Sequence, residues 1–276
     1  MTNLLIHSMS EFSDIILKAL ALAEAREIVE IGAEFGGMSF LLADHAEAQG
    51  GRLTSIDPSP KQEFLDWGAT RDHFRHVAKP SLEAFDEVVN VDAWIIDGDH
   101  NWYTVYHELK GVDAACRRDG KPLLAFLHDI AWPCARRDLY YAPDRIPAEF
   151  RHAYTFEGGV FPGISAPIPN RGFRGMGQFA CALHEGGPRN GVMTAIEDFI
   201  EELRAEGRGI AFAEVPAVFG LGILFDTDAP WGPDMAGLVI PWHENKLLRR
   251  LEENRLANYL TVLEWQDRVA AGRRAA

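Results

Sequence analysis

The spacing of apolar residues changes several times along the chain, and each change marks an element. Phe12, Ile15, Ile16, Ala19 and Leu22 recur at helical spacing behind Ser10, which predicts a helix capped by that serine and leading toward a first strand at Glu27 to Ile31. Short β-prone runs then alternate with helical stretches. The runs are Leu53 to Ile56, Phe74 to Val77, Ala93 to Ile96 and Leu123 to Leu127; the helical stretches are Met38 to Ala48, Gln62 to Ala69, Leu82 to Val88 and Tyr103 to Cys116. Such alternation is the pattern of βαβ units with right-handed crossovers, so the first 130 residues predict an α/β, Rossmann-like, doubly wound and mainly parallel sheet.

Periodicity stops between Ala131 and Asn190, where Gly and Pro crowd together. Nine aromatic residues in this stretch, among them Trp132, Tyr140, Tyr141, Phe161 and Phe173, are too many for a solvated tether, which points to a lid or binding insertion. Order returns with a helix at Val192 to Glu206, followed by Gly209 to Val215 and Val218 to Phe225 as an antiparallel pair closing the sheet. A long helix over Glu244 to Ala270 ends the pattern, its leucines, Tyr259 and Trp265 forming a face for its own domain or for a second copy in a homodimer or higher oligomer. One domain over 1–276, with an insertion at 131–190 and a terminal helix at 244–270, accounts for all of this.

Composition narrows the partners. With 41 acidic against 27 basic residues the net charge is −14, and the bases are scattered in pairs such as Arg117-Arg118 and Arg136-Arg137, so neither nucleic acid nor an anionic membrane is an expected partner. Cys116, Cys134 and Cys181 are odd in number and follow no metal-knuckle spacing, which suits a reducing compartment. Met1 to Asp14 lacks the marks of a signal peptide and Val218 to Phe225 is too short to span a bilayer, so a soluble cytoplasmic protein is the expectation.

Three groups carry candidate chemistry. Glu30-Ile31-Gly32-Ala33-Glu34-Phe35-Gly36-Gly37 sits where the first strand hands over to a helix, and its glycines let a ligand approach the backbone. A dinucleotide fingerprint needs a second glycine where this chain has Glu34, which disfavours a diphosphate and a nicotinamide-dependent oxidoreductase, while Glu30, Gly32 and Gly36 suit a ligand with a cationic ammonium group. Asp57 ends the next strand, 21 residues past Gly36, where a carboxylate accepts ribose hydroxyls or caps the turn before Pro58. Asp97-Gly98-Asp99-His100 and His128-Asp129 end two further strands and should face each other across the crevice. Carboxylates and imidazoles converging there either cap helices or hold a divalent cation, with Asp97, His128 and Asp129 as the ligand set and Asp99 as a substitute for His128.

These motifs together resemble class I S-adenosylmethionine-dependent methyltransferases, above all the small-molecule group of macrocin-type sugar O-methyltransferases and cephalosporin-hydroxylase-like proteins. The resemblance covers about the first 130 residues, and Asp97-Gly98-Asp99-His100 is its most specific part. It implies that Glu30, Gly32 and Gly36 hold the methionine portion of S-adenosylmethionine, that Asp57 takes the ribose, that Ser81 flanks the adenine and that Asp97 lines the same site. It also implies O-methyl transfer to a small-molecule acceptor with a divalent metal, magnesium first, although His128-Asp129 replaces the acidic or amide pair of metal-dependent relatives. His100, His128 and, as fallback, Asp99 are the candidate bases, because imidazole titrates near neutral pH. In the insertion, Arg136, Arg137, Arg171 and Arg174 are candidates for an anionic acceptor group, with Tyr140 and Tyr141 to cover a ring. A non-catalytic or oxygenase-like relative keeping the fold is the other reading.

Overall fold

A computed structural model describes residues 5–33 and 36–275. Glu34 and Phe35, and with them the acidic position of the first loop, lie outside the described residues. In chain order, α1 (Ser13–Leu22), β1 (Glu27–Ile31), α2 (Ser39–Ala48), β2 (Arg52–Ile56), α3 (Gln62–Gly68), β3 (Phe74–Val77), β4 (Ala93–Ile96), α4 (Trp102–Asp119) and β5 (Leu124–His128) form the alternating half. An insertion with β6 (Leu139–Tyr140), β7 (Tyr154–Thr155), β8 (Gly158–Phe161), β9 (Ile164–Pro169) and β10 (Ala180–Ala182) follows, and then α5 (Val192–Ala205), β11 (Ile210–Val215), β12 (Leu221–Asp226), α6 (Gly232–Val239) and α7 (Lys246–Ala275).

Seven strands form one sheet in the order β11-β12-β5-β4-β1-β2-β3. Only β12 runs antiparallel to its neighbours, pairing Ile223 with Ala213 on β11 and with Phe126 on β5. The chain enters at β1, winds outward to β3 and crosses back to β4, which pairs with β1 from Ile28↔Ala93 to Ile31↔Ile96. The direction of winding therefore reverses between β1 and β4, and in such sheets ligands bind outside the carboxyl ends of the strands at that point. The central strands are apolar on both faces, as parallel strands covered by helices on either side must be. Trp94, Leu109 and Phe199 belong to the core on the α4 and α5 face, and Ile16, Leu42, Phe126 and Phe225 to the core on the α1, α2 and α6 face.

Several expectations need correction. The N-terminal helix begins as a 3-10 turn at Met9–Phe12, and Ser8, not Ser10, caps it by accepting from the Ser10 amide. The predicted helix at 82–88 is two 3-10 turns, Ser81–Glu83 and Phe85–Glu87, because the Phe85 ring is seated against Gly111 of α4 where a Cβ would overlap it. The predicted start at Glu244 precedes α7, since Glu244 itself has φ +47 and the helix opens at Lys246. The periodicity gap at 131–190 is not without structure: β6, β10 and β7, two or three residues each and too short to show a pattern, pair antiparallel, and β8 with β9 makes a hairpin whose second strand carries two prolines. α7 buries Leu256 and Leu260 against its own domain and leaves Leu247, Leu251 and Trp265 exposed. No described helix is long and apolar enough to cross a membrane, and all three cysteines are buried free thiols.

Candidate active site

The turn after β1 is pressed against the end of β4. Gly32 has φ +85, and a Cβ there would overlap the carbonyl oxygen of Asp97, so this position requires glycine for both conformation and space. Gly36, at φ +81, instead makes room for the Phe64 and Phe40 rings. Glu30, 2% exposed, accepts from the Ser39 hydroxyl at 2.5 Å, and burial pushes its carboxyl up to about 8, so it holds a proton at neutral pH. Asp57 accepts from the Ala33 amide at 3.0 Å and from the Ser59 amide at 2.7 Å, tying the turn after β1 to the end of β2. The capping role foreseen for Asp57 is thus present, and it leaves the carboxylate at the same rim as Glu30 and Gly32.

The ends of β4 and β5 bring four side chains together. His128 Nδ1 lies 3.3 Å from Asp97 Oδ1 and 3.7 Å from Asp129 Oδ1, and His100 Nε2 lies 3.0 Å from Asp129 Oδ2 and 3.5 Å from Asp97 Oδ1. His128 Nε2 faces the Val218 carbonyl at 3.0 Å; a carbonyl only accepts, so Nε2 carries the proton and Nδ1 is the atom turned to the carboxylates. Burial opposes charge on Asp97, His100 and His128, but their pairing outweighs it. Asp129 and Asp97 hold His100 well above the ordinary imidazole range, Asp97 and Asp129 raise His128 to about 9, and the two imidazoles hold Asp97 below the usual carboxylate range.

Asp97, His128 and Asp129 present ligand atoms within metal-sharing distance, and His100, Asp129 and Cys134 form a second such trio through the same Asp129. Burial keeps the Cys134 thiol protonated. His100 Nε2 and Asp129 Oδ1 are buried with no hydrogen bond despite their closeness to charged neighbours. Asp99 is turned elsewhere, accepting from the His100 amide and the Thr104 hydroxyl at the start of α4, and burial raises its pKa. Ser81, at the mouth beyond β3, donates to Glu108 at 2.5 Å.

Residues 29–130 match a family model described as a methyltransferase domain. The match spans 102 of the 276 residues, and over it this chain is similar to methyltransferase domains. The candidate cofactor, metal and base residues from Glu30 to Asp129 lie inside the matched stretch, and those of the insertion lie outside it. No curated protein matches the chain. Among solved structures, the SAH-bound methyltransferase PaMTH1 of Podospora anserina is 14% identical with a TM-score of 0.47, the alignment covering 78% of each chain. The O-methyltransferase of Bacillus cereus in complex with SAH is 13% identical with a TM-score of 0.46, covering 81% of this chain and 84% of that one.

The matched stretch also contains a residue that pattern reading passed over. Glu108 is fully buried among the apolar positions Val105, Leu109 and Val112 of α4, and burial pushes its carboxyl up to about 8. An acid inside an apolar helical stripe was the available signal. Beyond that stretch, Asp138 is buried and accepts from the Trp102 and Gly191 amides and the Tyr140 hydroxyl, fastening the insertion to the start of α4. The insertion's arginines are spent in the same way. Arg136 pairs with Glu197, buried Arg137 donates to the Ala182 and Ser165 carbonyls, and Arg171 and Arg174 pair with Glu264 and Asp267 of α7. Tyr140 is buried, and of the six residues proposed to meet an acceptor only Tyr141, 50% exposed and 5.9 Å from the His100 ring, stands by the site.

Proposed function

We propose that this chain transfers the methyl group of S-adenosylmethionine to a hydroxyl oxygen of a small hydroxylated metabolite, with a divalent ion held at Asp97, His128 and Asp129. The observation that supports it most is the convergence of these three side chains with His100 beside the Gly32 turn, at the carboxyl ends of neighbouring strands in a stretch similar to methyltransferase domains. The residues fit an ion: three donors converge, the imidazole offers Nδ1, and Asp129 Oδ1 is a buried acceptor without a donor. One imidazole with two carboxylates suits manganese or zinc better than the magnesium first expected, which prefers oxygen alone. When bound, such an ion would lower the pKa of an acceptor hydroxyl and balance the two carboxylates.

The chain's own residues would do the rest. Glu30, once ionised, would face the ligand's ammonium group, Gly32 and Gly36 would shape the loop around the methionine portion, Asp57 would accept from the ribose hydroxyls and Ser81 would flank the adenine. As the acceptor oxygen bonds to the methyl carbon, the carbon–sulfur bond breaks and its electron pair stays on sulfur, so the site's main task is in-line alignment. His100, whose Nε2 lies 3.0 Å from Asp129 Oδ2, would take the acceptor's proton in its neutral form.

Calorimetry with S-adenosylmethionine and S-adenosylhomocysteine, each with manganese and with a chelator, tests the reading. Micromolar binding of both nucleosides and a manganese-dependent methyl transfer to a panel of polyhydroxylated acceptors are expected. Heat with NADH and none with either nucleoside would overturn it in favour of a nicotinamide enzyme.

A further inference from the structure

We infer that Glu252, on the C-terminal helix and outside the stretch similar to methyltransferase domains, is a positioning residue for His128, acting through a strained turn whose carbonyl receives the Nε2 proton. The inference rests on the proposed reading of His128 as a ligand. Its geometry does not depend on that reading.

β11 and β12 are joined through Ala217-Val218-Phe219-Gly220, closed by a 2.7 Å bond from the Gly220 amide to the Ala217 carbonyl. Both central residues have positive φ, +45 at Val218 and +64 at Phe219, the pattern of a type I′ turn. Such turns favour Asn-Gly, because a side chain at positive φ crowds its own carbonyl, and a β-branched residue there is a genuine outlier. Nothing in Val-Phe favours this shape locally. It persists where the surroundings over-determine it, and here they do.

Glu252, 9% exposed, accepts from the Val218 amide with one carboxylate oxygen and from the Phe219 amide with the other, both at 3.0 Å. Arg255 holds that carboxylate with two 2.6 Å bonds, places its guanidinium 4.6 Å from the Phe219 ring centroid and donates to the Ile6 carbonyl. Two donors in the turn meet two acceptors on one side chain, so the turn has little freedom to flip. Its Val218 carbonyl points at His128 Nε2, and the Phe12 ring meets His128 edge-on at 5.9 Å. The imidazole is thereby fixed in rotation and in the position of one proton, which leaves Nδ1 facing Asp97 and Asp129. A turn of Asn-Gly would hold its shape unaided; Val-Phe makes that shape depend on Glu252 of α7, which holds both turn amides, together with the Ala131 amide, which donates to the Phe219 carbonyl at 2.7 Å.

In 15N-histidine-labelled protein, the Nε2–H of His128 is expected as a slowly exchanging imidazole resonance, assigned by its loss in His128→Asn. Glu252→Gln keeps the length and one acceptor but turns an NH2 group toward a turn amide. In that variant the resonance should exchange at least about tenfold faster and manganese affinity should fall about tenfold, the size of effect that removing an outer-shell partner of a ligand produces. Val218→Gly removes the steric penalty at φ +45, so the double variant E252Q/V218G should recover both readouts. That recovery separates positioning from a general loosening of α7. An unchanged resonance in E252Q, or loss of it with no recovery in the double variant, overturns the proposal. Should E252Q not fold, Glu252→Asp, one methylene shorter and able to reach only one amide, must show intermediate exchange. Failure to bind S-adenosylmethionine would overturn the proposed activity alone, since the exchange measurement needs neither nucleoside nor metal.

Discussion

Glu30 should make the stability of this protein fall as the pH rises across neutrality. Its carboxyl is buried against Ser39, and its pKa is raised by burial from the ordinary 4.5 to about 8. Between those values the folded chain keeps a proton that the unfolded chain has released, so each pH unit removes about 1.4 kcal/mol of stability. The contribution is fully present below 4.5 and is lost by about pH 8, about 5 kcal/mol over the window at the same slope. That is a large part of the total stability of an ordinary domain. Glu30→Gln carries no titrating proton, so urea unfolding of the variant and the wild type at pH 5, 6, 7 and 8 should give a stability difference that grows in the variant's favour by about 1.4 kcal/mol per unit. Glu108 titrates in the same window but is present in both proteins, so it cancels in the difference. A difference that stays constant from pH 5 to 8 would refute the reasoning, since it would mean Glu30 is ionised throughout in the folded protein.

Binding a ligand ammonium at Glu30 should release that proton, so the heat of S-adenosylmethionine binding at pH 7 should vary with the ionisation enthalpy of the buffer; buffer-independent heat would count against an ionising Glu30. Gly32→Ala should cost about 2–5 kcal/mol, combining a left-handed Cβ with overpacking against Asp97, whereas Gly50→Ala, at φ +68 with open space around it, should cost about 1–2 kcal/mol; equal losses in thermal or urea unfolding would show that the contact with Asp97 is not tight. Asp97→Asn should weaken manganese binding by more than about a hundredfold, exceeding what an outer-shell change costs, and unchanged affinity by calorimetry would remove Asp97 from the ligand set. Arg174→Ala strands the mostly buried Asp267, so proteolysis between Gly158 and Met176 should accelerate at least about tenfold, while Arg250→Ala at a highly exposed pair should leave the rate unchanged.

The alternating half of the fold was legible because its two periods differ: β1, β2, β3 and β4 fall on the predicted runs, and the closing antiparallel pair was visible from its two apolar runs. The meeting of Asp97 and His100 with His128 and Asp129 followed from adjacent parallel strands ending at one level. Patterning was silent where the driving contact is tertiary. The two 3-10 turns at 81–87 depend on Gly111 admitting Phe85, and β6, β7 and β10 are two or three residues long, held by Asp138 and Arg137 and by pairing with one another. α6 opens on Gly232-Pro233, which reads locally as a turn. The turn at Val218-Phe219 carries no turn residues at its centre at all, and tertiary contacts with Glu252 and the Ala131 amide hold it.

The fate of the insertion's arginines shows how composition can mislead about recognition. Four guanidiniums beside two tyrosines read as a site for an anionic ring, because an unengaged arginine is an excellent partner for a carboxylate or phosphate. In the folded chain each guanidinium already has acceptors: Arg171 and Arg174 bind α7, Arg136 binds α5, and Arg137 is buried against main-chain carbonyls. To use one of them, a ligand must first break a pair and strand an acceptor, a penalty that rises with burial and is greatest at Arg137 and Arg174. The arginines therefore fasten the insertion to the rest of the molecule. What the site itself presents is acidic and imidazole, Asp97, His100, His128 and Asp129, with the Tyr141 ring beside it. The same fastening joins α7 to both halves of the problem, since one end of it grips the insertion through Glu264 and Asp267 while Glu252 grips the turn behind His128. A helix outside the matched residues thus contacts both the insertion and the turn whose carbonyl faces His128.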